Sequence, residues 1–316
     1  MTDSASPITP LPPLPSAVGP AVPALDLHMH STASDGLLAP AALIRYCAEH
    51  QVRWVALTDH DTLEGIPEAR LEAEQQGVAL LAGAEISSQW GNMGIHVVAL
   101  LPQGESGALA PSSVMAHAFE VVQSAREARA EKIAQRLEKK GLPDALEKAR
   151  ALAGGRSAVG RPHFAQALVD AGVVPDHKEA FKRYLGAGKV GDIKTLWPSL
   201  QQVVQWIVES GGVAVLAHPL RYGLTRRRRG LLLDDFVAAG GQAAELVSGF
   251  ENSDKTRDLA RQLHERQLYA SFGSDFHRFQ GPFAPGRYSP IPEVAVPPVW
   301  THPLLAPWFE AHTVIS

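Results

Sequence analysis

The segment LDLHMHSTASDG, which runs from Leu25 to Gly36, carries two histidines on alternate positions at the end of a short apolar run. If that run is a strand, His28 and His30 project to one side and Met29 projects to the other. Neutral imidazoles are good ligands for zinc, iron or manganese. A lone pair of this kind is more often two exposed polar residues at a strand end, so the rest of the chain must decide.

Further histidines and carboxylates accompany the other predicted strands. Strands are expected in seven apolar runs: ALDLHMH, RWVALTDHD, VALLAGAEIS, GIHVVALL, GVAVLAHP, AAELVSG and LYASFGSDFH. The residues suited to metal binding near their carboxyl ends are His28, His30, His60, Glu85, His96, His218, Asp275 and His277. Singly, His96 is typical of a hydrogen-bonded core histidine and Glu85 of a turn cap. Together they predict a metal site, because the carboxyl ends of strands in a parallel barrel converge and burying so many polar groups without a cation is costly.

Amphipathic helical patterns separate most of these strands, as in an α/β domain with parallel strands. Helices are predicted in PAALIRYCAEHQ, IPEARLEAEQQG, SLQQVVQWIVESGG, LLLDDFVAAGG and SDKTRDLARQLHERQ. From about Pro111 to Trp197 the chain shows helical periodicity without a convincing strand. This stretch is interpreted as a helical insertion after the fourth strand.

Composition limits the class of protein. The chain has 316 residues, of which 45% are hydrophobic and 20% charged, enough for one large domain or a large and a small one. The net charge of -4 argues against a protein that binds non-specifically along nucleic acids, and no DNA duplex is expected as a partner. The single cysteine, Cys47, falls in an apolar helical pattern and predicts a core residue in a reducing compartment, the cytoplasm.

The first 24 residues, MTDSASPITPLPPLPSAVGPAVPA, contain prolines that interrupt every apolar stretch. They lack a basic region at the start, so neither a signal peptide nor a membrane span fits. A disordered, proline-rich tail over residues 1–24 is the expectation, with no membrane association anywhere in the chain.

These dispersed motifs resemble the PHP (polymerase and histidinol phosphatase) family. They are His28-x-His30 with Asp35 and Gly36, TDH at Thr58 to His60, Glu85, His96, HP at His218 and Pro219, and SDFH at Ser274 to His277. The resemblance implies a distorted (β/α)7 barrel with a helical insertion subdomain and a cluster of three metal ions. It divides the chain into a barrel over 25–110 and 198–290, a helical lid over 111–197 and a C-terminal extension over 291–316.

Longer segments are similar to one branch of that family, which includes bacterial nucleoside 3′,5′-bisphosphate phosphatases, also described as 5′-to-3′ exoribonucleases. These segments are TDHDTLEGIPEA, GAEISSQWGNMGIHVVAL, VGRPHFAQALVDAG and AHPLRYGL. In that branch the insertion closes over the substrate. The stretches RFQGPFAPGRYSP, after His277, and VGDIKTLW depart from the branch's pattern, which bears on the substrate more than on the metals.

The resemblance also implies a ligand set. One metal would be held by His28, His30, Glu85 and Asp275; a second by bridging Glu85 with His96 and His218; and a third by Asp35, His60 and His277. Glu85, Asp275 and His218 are thereby the expected catalytic residues. Mixed imidazole and carboxylate ligation suits manganese, with iron or zinc as alternatives, better than magnesium alone. Asp59 is equally consistent with orienting a ligand and with capping a turn.

Phosphate binding also calls for cationic donors, and arginine's planar fork pairs with two oxygens at once. Arg161 and His163 in GRPHFA and Arg221 in AHPLRY are the main candidates, and Arg156 and Lys189 are weaker ones. The run Arg226 to Arg229 fits either a solvated helix start or a track for an RNA backbone.

The predicted function is hydrolysis of the 3′ phosphate ester of nucleoside 3′,5′-bisphosphates, and of short 5′-phosphorylated RNA, by metal-activated hydroxide. One alternative is a small-metabolite phosphatase of the histidinol-phosphate type, which would have a histidine in place of Asp35 and a different insertion. The other alternative is a non-catalytic PHP module, such as those attached to polymerases. The complete ligand set argues against the latter.

Overall fold

A single sheet of seven strands forms the centre of the computed structural model, which describes residues 25–102, 112–154, 159–186, 188–193 and 196–312. The strands follow chain order across the sheet: β1 Leu25–Met29, β2 Trp54–Leu57, β3 Ala79–Trp90, β4 Met93–Leu101, β5 Val213–Leu216, β6 Ala243–Ser248 and β7 Tyr269–Gly273. The chain after β7 bonds back to β1, where Asp275 N–H donates to the His28 carbonyl at 2.8 Å and His30 N–H to the Phe276 carbonyl at 2.9 Å. The sheet is therefore a nearly closed barrel, and the predicted fold class is confirmed.

One strand runs in a direction that the sequence interpretation did not anticipate. β1, β2 and β3 are parallel to one another, as are β5, β6 and β7, but β4 is antiparallel to both β3 and β5. Only Gly91 and Asn92 connect β3 to β4, and Gly91 has a φ of 56°. A two-residue connection closes a hairpin, whereas parallel neighbours need a long crossover. The expectation of parallel strands throughout was wrong for β4.

Helices account for most of the remaining described chain. They are α1 Pro40–Glu49, α2 Ile66–Gln76, α3 Ser113–Glu138, α4 Ala145–Leu152, α5 Arg161–Asp170, α6 His177–Ala180 running into a π-helical turn at Phe181–Leu185, α7 Leu200–Glu209, α8 Arg226–Ala238, α9 Ser253–Glu265, a 3-10 turn at Val299–Thr301 and α10 Ala306–Ala311. Apolar faces of α1, α2, α7, α8 and α9 pack on the strands. Cys47 on α1 is fully buried there, as predicted for a core residue.

The insertion has a hydrophobic core of its own. Its described residues form α3 to α6 and the π-helical turn without any strand, and Ile133, Phe164, Leu168 and Leu185 are buried together within it. This second core begins at Ala130 of α3, whereas Met115, Ala118 and Val122 of the same helix are buried in the barrel core. The domain boundaries at 110, 197 and 290 remain predictions.

The two ends of the chain differ in what can be said of them. The predicted tail, residues 1–24, lies outside the described residues. Near the other end, Trp300 packs against Phe272 of β7 with ring centroids 5.6 Å apart, and Phe309 of α10 is buried in the barrel core. Among the described helices, none is both long and apolar enough to span a membrane.

Candidate active site

The nine side chains suited to metal binding meet at one end of the barrel. Their potential ligand atoms form three groups, each with its atoms within 4.8 Å of one another. The groups are His28, His30, Glu85 and Asp275; His30, Asp35, His60 and His277; and His60, Glu85 and His96. The ninth residue, His218, lies with its Nε2 2.8 Å from Glu85 Oε1 and so adjoins the third group. The structure thus brings together every residue of the expected ligand set.

Glu85, on β3, lies at the centre of this cluster and is fully buried. Five imidazoles surround it, each with a ring nitrogen 2.8 to 3.2 Å from one of its oxygens: His28, His30, His60, His96 and His218. Burial opposes ionisation, but the neighbouring His96 and His60 hold the pKa of the Glu85 carboxyl well below its usual range. A carboxylate that is ionised at neutral pH and whose two oxygens are shared among several imidazoles is suited to bridging two cations.

Asp275 and Asp35 supply the remaining carboxylates. Asp275 Oδ1 lies 3.2 Å from His30 Nε2, and Asp35 Oδ1 lies 3.3 Å from His277 Nε2. Burial acts to raise both pKa values, yet His28 and His277 together lower the pKa of Asp275, and His277 and His60 lower that of Asp35. Both carboxylates are therefore ionised at neutral pH and available as ligands.

The buried cluster leaves several polar atoms without a hydrogen-bond partner among the described residues. These atoms are His30 Nδ1, Asp35 Oδ1, His60 Nδ1, Glu85 Oε2, His218 Nδ1 and Asp275 Oδ1. Buried polar groups normally have partners, and each exception costs roughly 1–3 kcal/mol. Four of these atoms, Asp35 Oδ1, His60 Nδ1, Glu85 Oε2 and Asp275 Oδ1, lie within the cluster, where divalent cations would offset that cost. The cluster is therefore able to bind metals.

Backbone conformation directs two of these side chains. His218 has a φ of 31° and Asp275 a φ of 53°, both in the left-handed region that non-glycine residues rarely adopt. Hydrogen bonds hold the strained positions, since His218 N–H donates to Glu245 Oε2 at 2.6 Å and Asp275 N–H to the His28 carbonyl. Such strain is typical of functional sites, where it persists because the surrounding structure fixes it.

Glu245, on β6, is a site residue that the sequence interpretation missed. It is buried, and it accepts hydrogen bonds from His28 Nδ1 at 2.8 Å and from the His218 backbone at 2.6 Å. The bond to Nδ1 leaves His28 Nε2 free to face the cluster, which is how carboxylates commonly orient metal-binding histidines. The available signal was a single carboxylate in the otherwise apolar strand AAELVSG.

Asp59 caps a turn, which was one of its two expected roles. Its carboxylate accepts hydrogen bonds from Ser31 N–H at 2.8 Å, Ser31 Oγ at 2.7 Å and Ser34 Oγ at 2.6 Å. These bonds fix the loop that follows β1 and carries Asp35. Gly36 completes the loop, since a Cβ there would lie 2.3 Å from the His30 carbonyl oxygen. The loop therefore places Asp35 only with glycine at position 36.

His96 reaches the cluster by a different route from the one expected. It is not at the carboxyl end of its strand but in the amino-terminal half of β4, which begins at Met93. Because β4 is antiparallel to its neighbours, its amino-terminal half lies at the same end of the barrel as the carboxyl ends of the other strands. The expected position in the strand was wrong, although the residue does join the cluster.

A cavity of about 420 Å³ lies between the barrel and the insertion, next to Asp35. Among the predicted substrate residues, His163 lines it. Arg161 does not; its guanidinium donates to the Leu185 carbonyl at 3.3 Å and lies over the Phe181 ring. Burial lowers the pKa of Arg161. Substrate contact by Arg161 therefore stays a prediction.

The other predicted cations take three different positions. Arg221 donates to the Asp275 carboxylate and, at 2.6 Å, to the Ser248 carbonyl, so it lies directly against the metal cluster. Lys189 is exposed on the insertion. Arg156 lies outside the described residues. Of these three, only Arg221 is placed at the cluster.

Comparison with known proteins bears on this geometry. A family model described as the PHP domain matches residues 26–191, more than half of the chain. The chain belongs to the PHP domain family. This family of metal-dependent phosphoesterases accounts for both the seven-stranded barrel and the clustered ligands.

Relatives of this PHP domain protein include two bacterial enzymes. A 5′-3′ exoribonuclease of Haemophilus influenzae is 41% identical over 252 residues, which cover 80% of this chain and 89% of that protein. A 3′,5′-nucleoside bisphosphate phosphatase of Chromobacterium violaceum is 38% identical, over 80% of this chain and 87% of that protein. A solved structure from Chromobacterium violaceum, described as an amidohydrolase with bound sulfate and no metal, superposes with a TM-score of 0.80 at 35% identity, covering 92% of this chain and 97% of that one.

The arginine run of this PHP domain protein forms the first turn of α8, which begins five residues before the predicted helix segment. Arg226 and the buried Arg229 pair with Asp258 of α9 at 2.8 and 2.6 Å, and Arg228 lies over the Trp90 ring at 5.7 Å. Three of the four arginines therefore have intramolecular partners. The run is thus a helix start with Arg226, Arg227 and Arg228 exposed, which agrees with the expected solvated helix start except at the buried Arg229.

Proposed function

We propose that this protein is a phosphoric ester hydrolase that removes the 3′ phosphate from nucleoside 3′,5′-bisphosphates and acts on short 5′-phosphorylated RNA. The observation that carries the proposal is the cluster around Glu85, in which buried ligand atoms lack partners beside a cavity of nucleotide size. The substrate class is supported by the names of the two bacterial relatives. The reaction class is that of the family.

The ligand groups define where metals would bind. We assign one metal to His28, His30, Glu85 and Asp275, a second to Glu85, His96 and His218, and a third to Asp35, His60 and His277. Manganese suits this mixture of nitrogen and oxygen donors, with iron or zinc as alternatives. Divalent metals held here would lower the pKa of a water nucleophile and neutralise charge on the phosphoryl group.

The chain's own residues would orient the reacting groups. Glu245 fixes the tautomer of His28, and Glu85 keeps five imidazoles at fixed positions around its carboxylate. Arg221, which lies against Asp275, would donate to the oxygens of the reacting phosphate through its remaining N–H groups. His163 faces the same site from the insertion.

The proposal places the enzyme in the cytoplasm, acting on nucleotides or single-stranded RNA rather than on a DNA duplex. A buried, unpaired Cys47 is compatible with a reducing compartment. Net charge of -4 supports small or short substrates, because extended duplexes are usually bound by strongly basic surfaces.

The test is phosphate release under one Mn²⁺ condition from adenosine 3′,5′-bisphosphate, 3′-AMP, 5′-AMP and histidinol phosphate, with 5′-phosphorylated and 5′-hydroxyl RNA oligomers in parallel. We expect kcat/KM for the bisphosphate to exceed that for 5′-AMP by on the order of a hundredfold, because a monophosphate leaves one anion site unpaired. Equal rates on the bisphosphate and both monophosphates would contradict the proposal. Preferential hydrolysis of histidinol phosphate would replace it with a small-metabolite phosphatase.

A further inference from the structure

The cavity between the barrel and the insertion is the feature from which a further inference can be drawn. The barrel side of its wall includes Asp35, Leu37 and Arg278, and the insertion side includes Leu152, His163 and His177. Its volume of about 420 Å³ is within the range of small-ligand sites. Because Asp35 belongs both to the metal cluster and to this wall, a molecule in the cavity would adjoin the reacting centre.

Arg278 is the cation of this wall that has no assigned role. It is exposed and makes no hydrogen bond or ion pair within the part of the chain that the structure describes, whereas Arg221 already pairs with Asp275. Arg278 lines the cavity together with His163 and His177 of the insertion, and its charge contributes, after burial, to lowering the pKa of His177. Arg278 directly follows His277, so their Cα atoms are about 3.8 Å apart. An uncommitted guanidinium next to a metal-cluster residue is available for a second anion.

Two apolar side chains face this cavity from opposite sides. Leu37 on the barrel is 59% exposed and Leu152 on the insertion is 41% exposed, although both are large and apolar. The position of Leu37 is fixed, because its N–H donates to the His277 carbonyl at 2.7 Å. Exposed apolar surface on two facing walls is suited to the faces of a planar ring.

We infer that this cavity binds the nucleoside part of the substrate, with Arg278 binding the non-reacting 5′ phosphate and Leu37 and Leu152 packing against the base. The inference rests on the proposed function and adds separate binding roles for two arginines. Arg221 contacts the phosphate that is cleaved, and Arg278 contacts the phosphate that is retained. Selectivity for bisphosphates then depends on a residue that touches no reacting atom.

The experiment compares two substrates in two variants of the full chain. In Arg278→Ala we expect kcat/KM for adenosine 3′,5′-bisphosphate to fall roughly 10- to 100-fold, the usual range for losing hydrogen bonds to a charged group. Hydrolysis of 3′-AMP, which lacks the 5′ phosphate, should stay within about threefold of wild type. Arg261→Ala, at an exposed arginine on α9, is the matched control and should leave both substrates unchanged. An equal loss on both substrates, or no loss on either, would overturn the role of Arg278.

A second pair of measurements tests the apolar walls. Leu152→Ser should raise KM for adenosine 3′,5′-bisphosphate by roughly 3- to 10-fold and leave KM for an abasic ribose 3,5-bisphosphate unchanged. A change of equal size for both substrates would contradict packing against the base. If wild type releases no phosphate from the bisphosphate, the proposed function itself fails. If wild type is active and Arg278→Ala does not discriminate, only this inference fails.

Discussion

The barrel and the insertion differ in what they contribute to the site. The barrel supplies all nine residues of the metal cluster, and it holds them by burial, by strand ends and by carboxylates such as Glu245. The described part of the insertion supplies none of the nine, but it has its own core and forms one wall of the cavity. On this difference we base the proposal that the barrel performs the chemistry and that the insertion acts on the choice of substrate.

The amino-terminal half of α3 joins the two regions, since Met115, Ala118 and Val122 are buried in the barrel core and polar contacts lie further along the helix. Asp61, which follows β2, accepts hydrogen bonds from Arg126 of α3, and its backbone carbonyl accepts one from Gln123 at 2.8 Å. Arg126 and Arg129 lie over the ring of Trp197 at 5.3 and 5.4 Å. These polar contacts and the apolar packing of α3 together hold the insertion against the barrel.

The largest expected effect comes from Glu85→Ala, which removes the carboxylate that the barrel shares among five imidazoles. Bridging metal ligands supply several kcal/mol of transition-state stabilisation, so we expect kcat to fall at least about a thousandfold. The decrease in the free energy of unfolding should be smaller than the increase in activation free energy that corresponds to the loss of kcat. Phosphate release and urea denaturation measure the two quantities. Glu74→Ala, at an exposed position on α2, is the control, and full turnover in Glu85→Ala would contradict the assignment.

A smaller effect is expected from breaking the polar contacts of α3. Arg126→Met leaves the fully buried Asp61 carboxylate without its charge partner, which typically costs about 3–5 kcal/mol. The measurement is the free energy of unfolding in urea. The double variant Asp61→Asn with Arg126→Met should recover part of the loss, because it removes the unpaired charge. A loss below about 1 kcal/mol in the single variant would show that the ion pair does not hold the insertion.

Glu245→Gln tests whether a barrel residue outside the metal-ligand set orients the ligands, since Glu245 contacts the cluster only through His28 and His218. The amide can no longer accept charge-assisted hydrogen bonds from His28 and the His218 backbone. We expect metal affinity or kcat to fall by about 10- to 100-fold, as for other residues that orient metal ligands. Titration of the metal-free protein with Mn²⁺ provides the affinity, and unchanged affinity together with unchanged kcat would exclude this positioning role.

The smallest expected effect is that of Arg161→Ala in the insertion. Arg161 holds the first turn of α5 through the Leu185 carbonyl, and His163 in the same turn lines the cavity. We expect KM to rise and kcat to fall, together by roughly 3- to 10-fold, with metal content unchanged. Lys182→Ala, at an exposed lysine of the insertion, is the control. Loss of metal from Arg161→Ala would contradict the division between barrel and insertion.

Much of the barrel could be predicted from the sequence because its signals are local. Each of the seven apolar runs overlaps a strand, although β3 and β4 extend beyond theirs, and the alternation of His28 and His30 places both rings on the same side. The direction of β4 was not predictable in this way, since strand periodicity is the same in both directions. The available signal for an antiparallel hairpin was the turn Gly91-Asn92. Because β4 was interpreted as a parallel strand, His96 was assigned to the wrong half of it.

The rest of the site depends on contacts between residues that are distant in the sequence. Glu245 is 217 positions from His28, and the exposed Arg278 becomes notable only because it lines a cavity whose opposite wall belongs to the insertion. Conversely, the run Arg226 to Arg229 is conspicuous in the sequence, yet partners on α9 and β3 occupy three of its members. The sequence pattern shows which residue types are present. Contacts between residues that are distant in the sequence decide which charged side chains have no partner.

The most direct test of the central claim is the metal content of protein purified without chelators, measured by mass spectrometry alongside turnover. We expect wild type to contain up to three transition-metal ions per chain, in line with the three ligand groups, and chelation to abolish phosphate release until Mn²⁺ is restored. Glu85→Ala should contain fewer ions, and Arg278→Ala the same number as wild type. Wild type that contains no transition metal and turns over equally well after chelation would contradict the assignment of the barrel as a metal-dependent catalytic centre.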